Sequence, residues 1–259
     1  MITDYGICQV SIAPVRAQAS DEAEIVTQLL FGDYVKILSL EKPWAKIYFP
    51  ADDYEGYMDF KQLYFVDEST YQKGVNVEHD TVNTGILPIE GPLGKQHIIF
   101  GSNLPFIEDD KFYLGDQECT TLLVNPDISE SFIDTALLYL NTPYLWGGKG
   151  IFGIDCSGLT QMVAKIHGIQ LPRDASQQCE VGQRVDYNDR KIGDLMYFIN
   201  KKGTVHHVGI IINEKEIIHA AGYVRIDTYD EKGIFRKDFN DYTHQFHSIK
   251  RIWNNSTSD

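Results

Sequence analysis

The sequence predicts a multidomain chain, an all-β N-terminal half followed by an α+β C-terminal domain. Three observations carry this. Residues 1–67 hold short β-branched and aromatic runs, separated by turn residues at intervals of about ten, as in a small barrel. Near Asn125-Pro126-Asp127 the pattern changes to a helical period. Beyond it, helices are followed by a run of strands, the order of an α+β domain and not of a doubly wound one. At 259 residues, 43% hydrophobic and 23% charged, the chain is long enough for more than one core and lies outside the disordered range.

In the first part, Gly6–Ile12, Gly32–Leu38, Trp44–Phe49 and Gly56–Asp59 read as strands. Between Asp67 and Val124, Thr84-Gly85, Leu87-Pro88, Glu90-Gly91-Pro92-Leu93-Gly94 and Leu104-Pro105 punctuate short apolar stretches, which predicts loop-rich β structure. A helix is expected at 131–140, with Phe132, Ala136, Leu137 and Leu140 on one face, Ser129 or Ser131 as cap and Pro143 as stop. A second helix starts at Asp155-Cys156-Ser157, carries Leu159, Val163 and Ile166 inward and stops at Gly168. A third, short one follows Leu171-Pro172-Arg173-Asp174. Strands are expected at 193–198, 206–212, 216–220 and 247–253.

Charge narrows the function. With 23 Lys and Arg against 37 Asp and Glu the net charge is −14, unsuited to a general nucleic-acid binder. No apolar run approaches the roughly 18–20 residues of a membrane span. Residues 1–7 carry neither a basic start nor an apolar segment, and no lipidation signal precedes Cys8, so a cytoplasmic protein is expected. In that compartment Cys8, Cys119, Cys156 and Cys179 are expected to be free thiols.

One thiol stands out. A nucleophilic Cys wants a helix N-terminus, a nearby base, or both, and Cys156 sits at a predicted N-terminus. His207 begins one predicted strand and His219 ends the next, twelve residues on, with Asn213-Glu214-Lys215 as the turn. An even separation allows both rings onto one face of a hairpin, directly opposite or two residues out of register. That is the arrangement of a base and the group that fixes its tautomer. In a regular strand His206 points to the other face, and parity alone leaves open which of the two faces the helix.

Six ordered motifs now stand together: Tyr144-Leu145-Trp146-Gly147-Gly148, Asp155-Cys156-Ser157-Gly158-Leu159, Leu171-Pro172-Arg173-Asp174, Gly193-Asp194-Leu195, His207-Val208-Gly209-Ile210 and Ile218-His219-Ala220. This set resembles the papain-like NlpC-type cell-wall cysteine peptidases over about residues 126–253. Upstream, Pro14-Val15-Arg16, Ala23–Asp33, Trp44–Ile47 and Glu55-Gly56-Tyr57-Met58 resemble bacterial SH3-like domains of the γ-D-glutamyl-L-diamino acid endopeptidases. The expected organisation is an SH3-like domain at 1–67, a second, degenerate one at 68–125 and the peptidase domain at 126–259.

The resemblance implies Cys156 as nucleophile, His207 as general base and His219 as its orienter. It further implies that Asp155, Ser157, Tyr144, Asp174, Glu24 and Tyr57 bind the substrate, with Asp155 and Glu24 facing the free amine of an N-terminal L-alanine. Where relatives often carry Ser after the Asp174 position, Ala175 stands here, followed by Ser176. The implied reaction is hydrolysis of the amide between γ-D-glutamate and meso-diaminopimelate or L-lysine in murein peptide recycling, with no metal and no organic cofactor. Residue by residue, other readings stand beside it. Glu24 lies in the acidic run 21–24 and reads equally as a solvated face, Asp155 as a plain helix cap, and Tyr57 and Tyr144 as packing. Rival functions are a non-catalytic muropeptide-binding protein, a thiol acyltransferase, and a metal site built from Cys156, His206, His207 and His219.

Overall fold

The computed structural model describes residues 3–126 and 131–253. The chain divides into two compact units, Met1–Ile128 with Trp146–Ile151, and Ser129–Leu145 with Phe152–Asp259.

In the N-terminal unit, β1 (Tyr5–Cys8), β2 (Ile12–Arg16), β3 (Ile25–Leu30), β4 (Tyr34–Glu41), β5 (Trp44–Phe49), β6 (Tyr54–Asp59) and β7 (Leu63–Val66) form one antiparallel sheet. Its order is β3-β2-β6-β5-β4-β1-β7. Period-two patterning fixes its faces: on β5, Ala45, Ile47 and Phe49 are buried and Trp44, Lys46 and Tyr48 alternate with them. The stretch 6–12, expected as one strand, is two, because Gln9, Val10 and Ser11 separate β1 from β2.

Residues 68–125 hold helix α1 (Glu68–Val75), whose N-cap Asp67 accepts the Thr70 N–H at 2.8 Å. Only Tyr71 and Gly74 of α1 are buried, so it shows little apolar period in the sequence. There follow β8 (Asp80–Thr81), β9 (Ile86–Gly91), β10 (Gly94–Ile99), β11 (Asn103–Leu104), β12 (Lys111–Leu114) and β13 (Gln117–Thr121). They form a four-stranded sheet, β10-β9-β13-β12, and a β11-β8 pair. Val82, Leu87, Ile98 and Phe112 from this region share one hydrophobic cluster with Ile7, Phe31 and Tyr34. The segment 146–151, with β14 (Lys149–Gly150), also belongs to this unit. There the buried Lys149 ammonium lies 3.1 Å from Asp52, whose other oxygen accepts from Thr27 at 2.5 Å, so the charge is paired and hydrogen-bonded.

In the C-terminal unit, α2 (Phe132–Leu137) is held at its start by a reciprocal capping box between Ser131 and Asp134. The alternative cap, Ser129, lies outside the described residues. Because α2 ends at Leu137, Leu140 is exposed and not on the inner face. After β15 (Gly153–Ile154) come α3 (Cys156–Ile166) and α4 (Ala175–Gln178). The remaining strands are β16 (Gln183–Val185), β17 (Leu195–Ile199), β18 (Val205–Ile211), β19 (Glu216–Ala221), β20 (Tyr223–Asp230), β21 (Gly233–Arg236) and β22 (Asp241–Arg251). They lie in the order β16-β22-β17-β18-β19-β20-β21, and β21 also pairs with β22, so six strands close on themselves. The sequence reading singled out neither β16 nor β20 nor β21. Met196, Phe198, Ile211, Ile217, Ile234 and Ile249 form a core of this sheet, and α3, buried from Cys156 to Ala164, packs on β18 and β19.

Candidate active site

Helix α3 begins at Cys156 because Asp155, in an extended conformation, accepts the Gly158 N–H at 2.7 Å. It ends where Gly168 takes φ +70°, a left-handed value that favours glycine. This places the thiol in the first turn, among N–H groups with no acceptor inside the helix. Cys156 is 7% exposed, and its sulfur lies 4.0 Å from the His206 carbonyl oxygen, with the Val208 N–H also drawing on it. It therefore sits against the β18 backbone on both sides of His207.

On the neighbouring strand His219 pairs with Gly209, so His207 and His219 stand two residues out of register, one of the two arrangements that even spacing allows. Their rings meet at 2.8 Å, His207 Nε2 to His219 Nδ1. Two local features fix this register. Asn213 Oδ1 accepts the Lys215 and Glu216 N–H groups at 2.9 Å each and closes the turn. Gly209 lets the strands approach, since a Cβ there would meet the Ile217 side chain at 2.8 Å and the Ile218 carbonyl oxygen at 2.9 Å.

One residue departs from regular strand geometry. Opposite β17, His207 pairs with Phe198 and Val205 with Ile199, so His206 is the extra residue of a β-bulge. His206 is exposed and its ring stacks at 5.9 Å on His244, which itself stacks on His207 at 4.0 Å. The expectation that His206 points away from the His207 side held for a regular strand, and the bulge removes it.

Behind His219, which is fully buried, Asp227 Oδ2 lies 3.0 Å from Nε2. Asp227 is in turn held by Arg225, with Nη2 donating to Oδ1 at 2.8 Å and Nε 2.7 Å from Oδ2. Asp155 is also an ion-pair partner: Arg173, 1% exposed, donates to Oδ1 at 3.0 Å and to Oδ2 at 2.5 Å, and to Ser157 Oγ at 3.0 Å. The sequence reading assigned Asp155 to a substrate ammonium; in the structure its carboxylate meets Arg173. Arg173, Asp227, Arg225 and His244 were not among the expected site residues.

Of the residues that were, Cys156, His207, His219, Asp155, Ser157 and Tyr144 come together in the C-terminal unit. Tyr144 donates its N–H to the Gly222 carbonyl at 3.0 Å, and burial pushes its phenol up, with the charges of Cys156 and Asp155 adding to the effect. Asp174 caps α4, its N–H donating to Gln177 Oε1 at 3.1 Å. Glu24 and Tyr57 belong to the N-terminal unit, where Glu24 accepts the Trp146 indole N–H at 2.7 Å and Tyr57 lies on β6 opposite Lys46.

Electrostatically, burial shifts both the nucleophile and the base toward their neutral forms. Burial pushes the Cys156 thiol up to about 12 and Asp155 adds to this, while Val208 N–H, Arg173 and Ser157 N–H oppose it. Burial also holds His207 well below the ordinary imidazole range, and the neighbouring His244, His219 and His206 act in the same direction. Exclusion of water disfavours thiolate and imidazolium alike.

Among the described residues, His207, His219 and His244 bring three ring nitrogens within 4.8 Å of one another. Neither Cys156 nor His206 joins that group. Its geometry suits hydrogen bonding and stacking better than metal ligation. Two ligands of a tetrahedral zinc stand roughly 3.3 Å apart with both lone pairs aimed at the ion. Here two nitrogens are 2.8 Å apart with a proton between them, and His207 and His244 lie nearly parallel, 25° apart.

Two family profiles match the chain: the NlpC/P60 family over residues 141–243 and the bacterial dipeptidyl-peptidase SH3 domain over residues 15–63. The γ-D-glutamyl-L-lysine dipeptidyl-peptidase of Bacillus subtilis (strain 168) is 28% identical over 216 residues, 76% of this chain and 72% of the relative. Its namesake from Bacillus cereus (strain ATCC 10987) is 30% identical over 225 residues, 76% of this chain and 67% of the relative. A crystal structure of an NlpC/P60 family protein from Bacillus cereus ATCC 10987 superimposes with a TM-score of 0.79, covering 96% of this chain and 99% of that one at 21% identity, and so supports the fold.

Proposed function

The chain belongs to the NlpC/P60 family of cysteine peptidases, joined to a bacterial SH3 domain, and from this premise we propose that it hydrolyses the amide between γ-D-glutamate and the diamino acid of murein peptides. The observation that carries the reading is the thiol of Cys156 at the start of α3, against β18 at His207, with His219 and Asp227 in line behind the base. The names of the relatives supply the substrate class, and L-lysine is the diamino acid in theirs.

The steps follow from the geometry. His207 Nε2 is engaged with His219, so Nδ1 is the nitrogen that serves the thiol. As sulfur attacks the γ-carbonyl carbon, the thiol proton passes to Nδ1, and the carbonyl oxygen becomes an oxyanion. The Cys156 N–H at the helix start is positioned to stabilise it. Collapse breaks the C–N bond, His207 returns the proton to the leaving amine, and a thioester remains. Water then attacks the thioester, giving one proton to His207, and the free acid and the thiol are released. A base that is neutral at rest suits this sequence, because it is ready to accept a proton at neutral pH.

The proposal extends to a requirement for a free N-terminal L-alanine, which the resemblance implies. Such a requirement suits released peptides and not glycan-linked stems, and we therefore place the reaction in the recycling of wall peptides in the cytoplasm. Product mass spectrometry with L-Ala-γ-D-Glu-L-Lys, its diaminopimelate counterpart and their N-acetylated forms tests it. Wild type should cleave only the free-amine peptides, and a folded Cys156→Ala variant should cleave none. Turnover by Cys156→Ala would overturn the mechanism; equal cleavage of acetylated peptides would overturn the amine requirement. Fractionation of the native protein with the cell exterior would overturn the placement.

A further inference from the structure

Resting on the reading of Cys156 and His207 as nucleophile and base, we propose that Asp227, clamped by Arg225, is a positioning residue that sets the tautomers of both catalytic-site histidines and thereby makes His207 Nδ1 the basic nitrogen.

The inference follows from counting protons along one hydrogen-bonded line. A carboxylate only accepts, so the 3.0 Å contact of Asp227 Oδ2 with His219 Nε2 puts the His219 proton on Nε2. In the neutral ring, His219 Nδ1 is then a lone pair. The 2.8 Å contact of that atom with His207 Nε2 must be filled by a proton from His207, which places the His207 proton on Nε2 as well. His207 Nδ1 is left as the lone pair. Each assignment follows from the one before, and the line begins at Asp227.

Arg225 secures the first member. Its side chain engages both Asp227 oxygens, and its second partner, Asp238, lies 3.4 Å from Nη2. Burial works to raise the Asp227 pKa, yet the hydrogen bonds and charges of His219 and Arg225 outweigh it and hold the group below its ordinary value. The carboxylate thus remains an acceptor across the neutral range. The other titratable or charged groups facing the line are His206 and His244 beside His207, Arg236 near His219, and Asp155 and Arg173 around Cys156.

Asp227→Asn is the informative change, because the amide keeps the shape and can donate. Donation from Asn Nδ2 to His219 Nε2 reverses both tautomers, so that His207 Nδ1 carries the proton and no longer accepts one from sulfur. Where a carboxylate touches the base directly, as in the serine triad, this change costs roughly 10⁴-fold in kcat. Here one ring intervenes, and a loss of roughly 10²-fold in kcat with little change in KM is expected by comparison with that case.

Two readouts separate this role from plain structural support and from the substrate assignment. The first is ¹⁵N NMR of the histidines, which reports the tautomers with no substrate present: wild type should show Nε2–H on both His207 and His219, and Asp227→Asn should show Nδ1–H on both. The second is the rate at which iodoacetamide inactivates Cys156 as a function of pH, which should fall in the variant at neutral pH. Nδ1–H on either ring of the wild-type protein overturns the proposal, whether or not the variant folds. So does a folded Asp227→Asn with wild-type tautomers and wild-type alkylation. If tautomers and alkylation respond as stated while wild type cleaves no murein peptide, the positioning role stands and the substrate reading fails.

Discussion

Replacing Arg173 with methionine tests how the site tolerates an acidic group beside its nucleophile. Arg173 and Asp155 are both buried, at 1% and 6% exposure, and joined by two charge-assisted hydrogen bonds of 3.0 and 2.5 Å. Methionine keeps most of the aliphatic stem, so the change removes charge and hydrogen bonds more than packing. Asp155 is then a buried carboxylate without its cation, a loss that costs about 3–5 kcal/mol. Two effects should appear together. At a slope of about 2 kcal/mol per molar urea, the C-terminal unit should unfold roughly 1.5–2.5 M earlier. Below that transition the Cys156 thiol should alkylate more slowly at a given pH, because the positive charge that offsets Asp155 is gone. Arg173→Lys should fall between, keeping the charge and losing the planar fork. Because the chain has two units, the assay should follow Cys179, a buried thiol of the C-terminal unit, by pulsed alkylation at increasing urea. A Cys179 midpoint shifted by less than about 0.5 M, equivalent to about 1 kcal/mol at that slope, together with unchanged Cys156 reactivity, would refute the reasoning.

Gly209→Ala should lower kcat at least about tenfold, because its Cβ would press on the Ile218 carbonyl and spread the strands that carry His207 and His219; an unchanged kcat would show that the register has slack. Stability should depend on pH through the buried imidazoles. Burial holds His207, His219 and His167 below the ordinary value of 6.5 and His244 at about 3. Below pH 6.5 the unfolded chain therefore binds protons that the folded one refuses. Stability is complete above that pH and falls as pH drops toward the folded values. The urea midpoint of the Cys179 transition should be lower at pH 5.0 than at pH 7.5, and equal midpoints would contradict the burial of these rings.

How far the site could be read in advance follows from the range over which each signal acts. The start of α3 was legible because a capping Asp and the turn it closes are neighbours in sequence, and the same holds for Ser131 and Asp134. The pairing of His207 with His219 was legible because a short hairpin turns even spacing into a shared face. Arg173 stands eighteen residues from Asp155, across a helix and a loop, and no local pattern ties a cation in Leu171-Pro172-Arg173 to that carboxylate. His244 reaches His207 through the pairing of β22 with β17, which lies beside β18, a contact between strands far apart in sequence that no local pattern announces. Asp227 is the instructive case, since its signal was present. It follows His219 by eight residues, another even number, and β20 pairs Ile217 with Asp227 and His219 with Arg225. Asp227 is therefore displaced by two residues from His219, as His219 is from His207. Diagonal neighbours lie roughly 7–8 Å apart, against about 5 Å for directly opposed pairs. The longer spacing leaves room for an imidazole ring between its two hydrogen-bond partners, while the shorter would crowd the rings. A line of proton donors and acceptors across a sheet thus selects the diagonal, and repeating the even-spacing argument one strand further, with an acid in place of a histidine, points to Asp227.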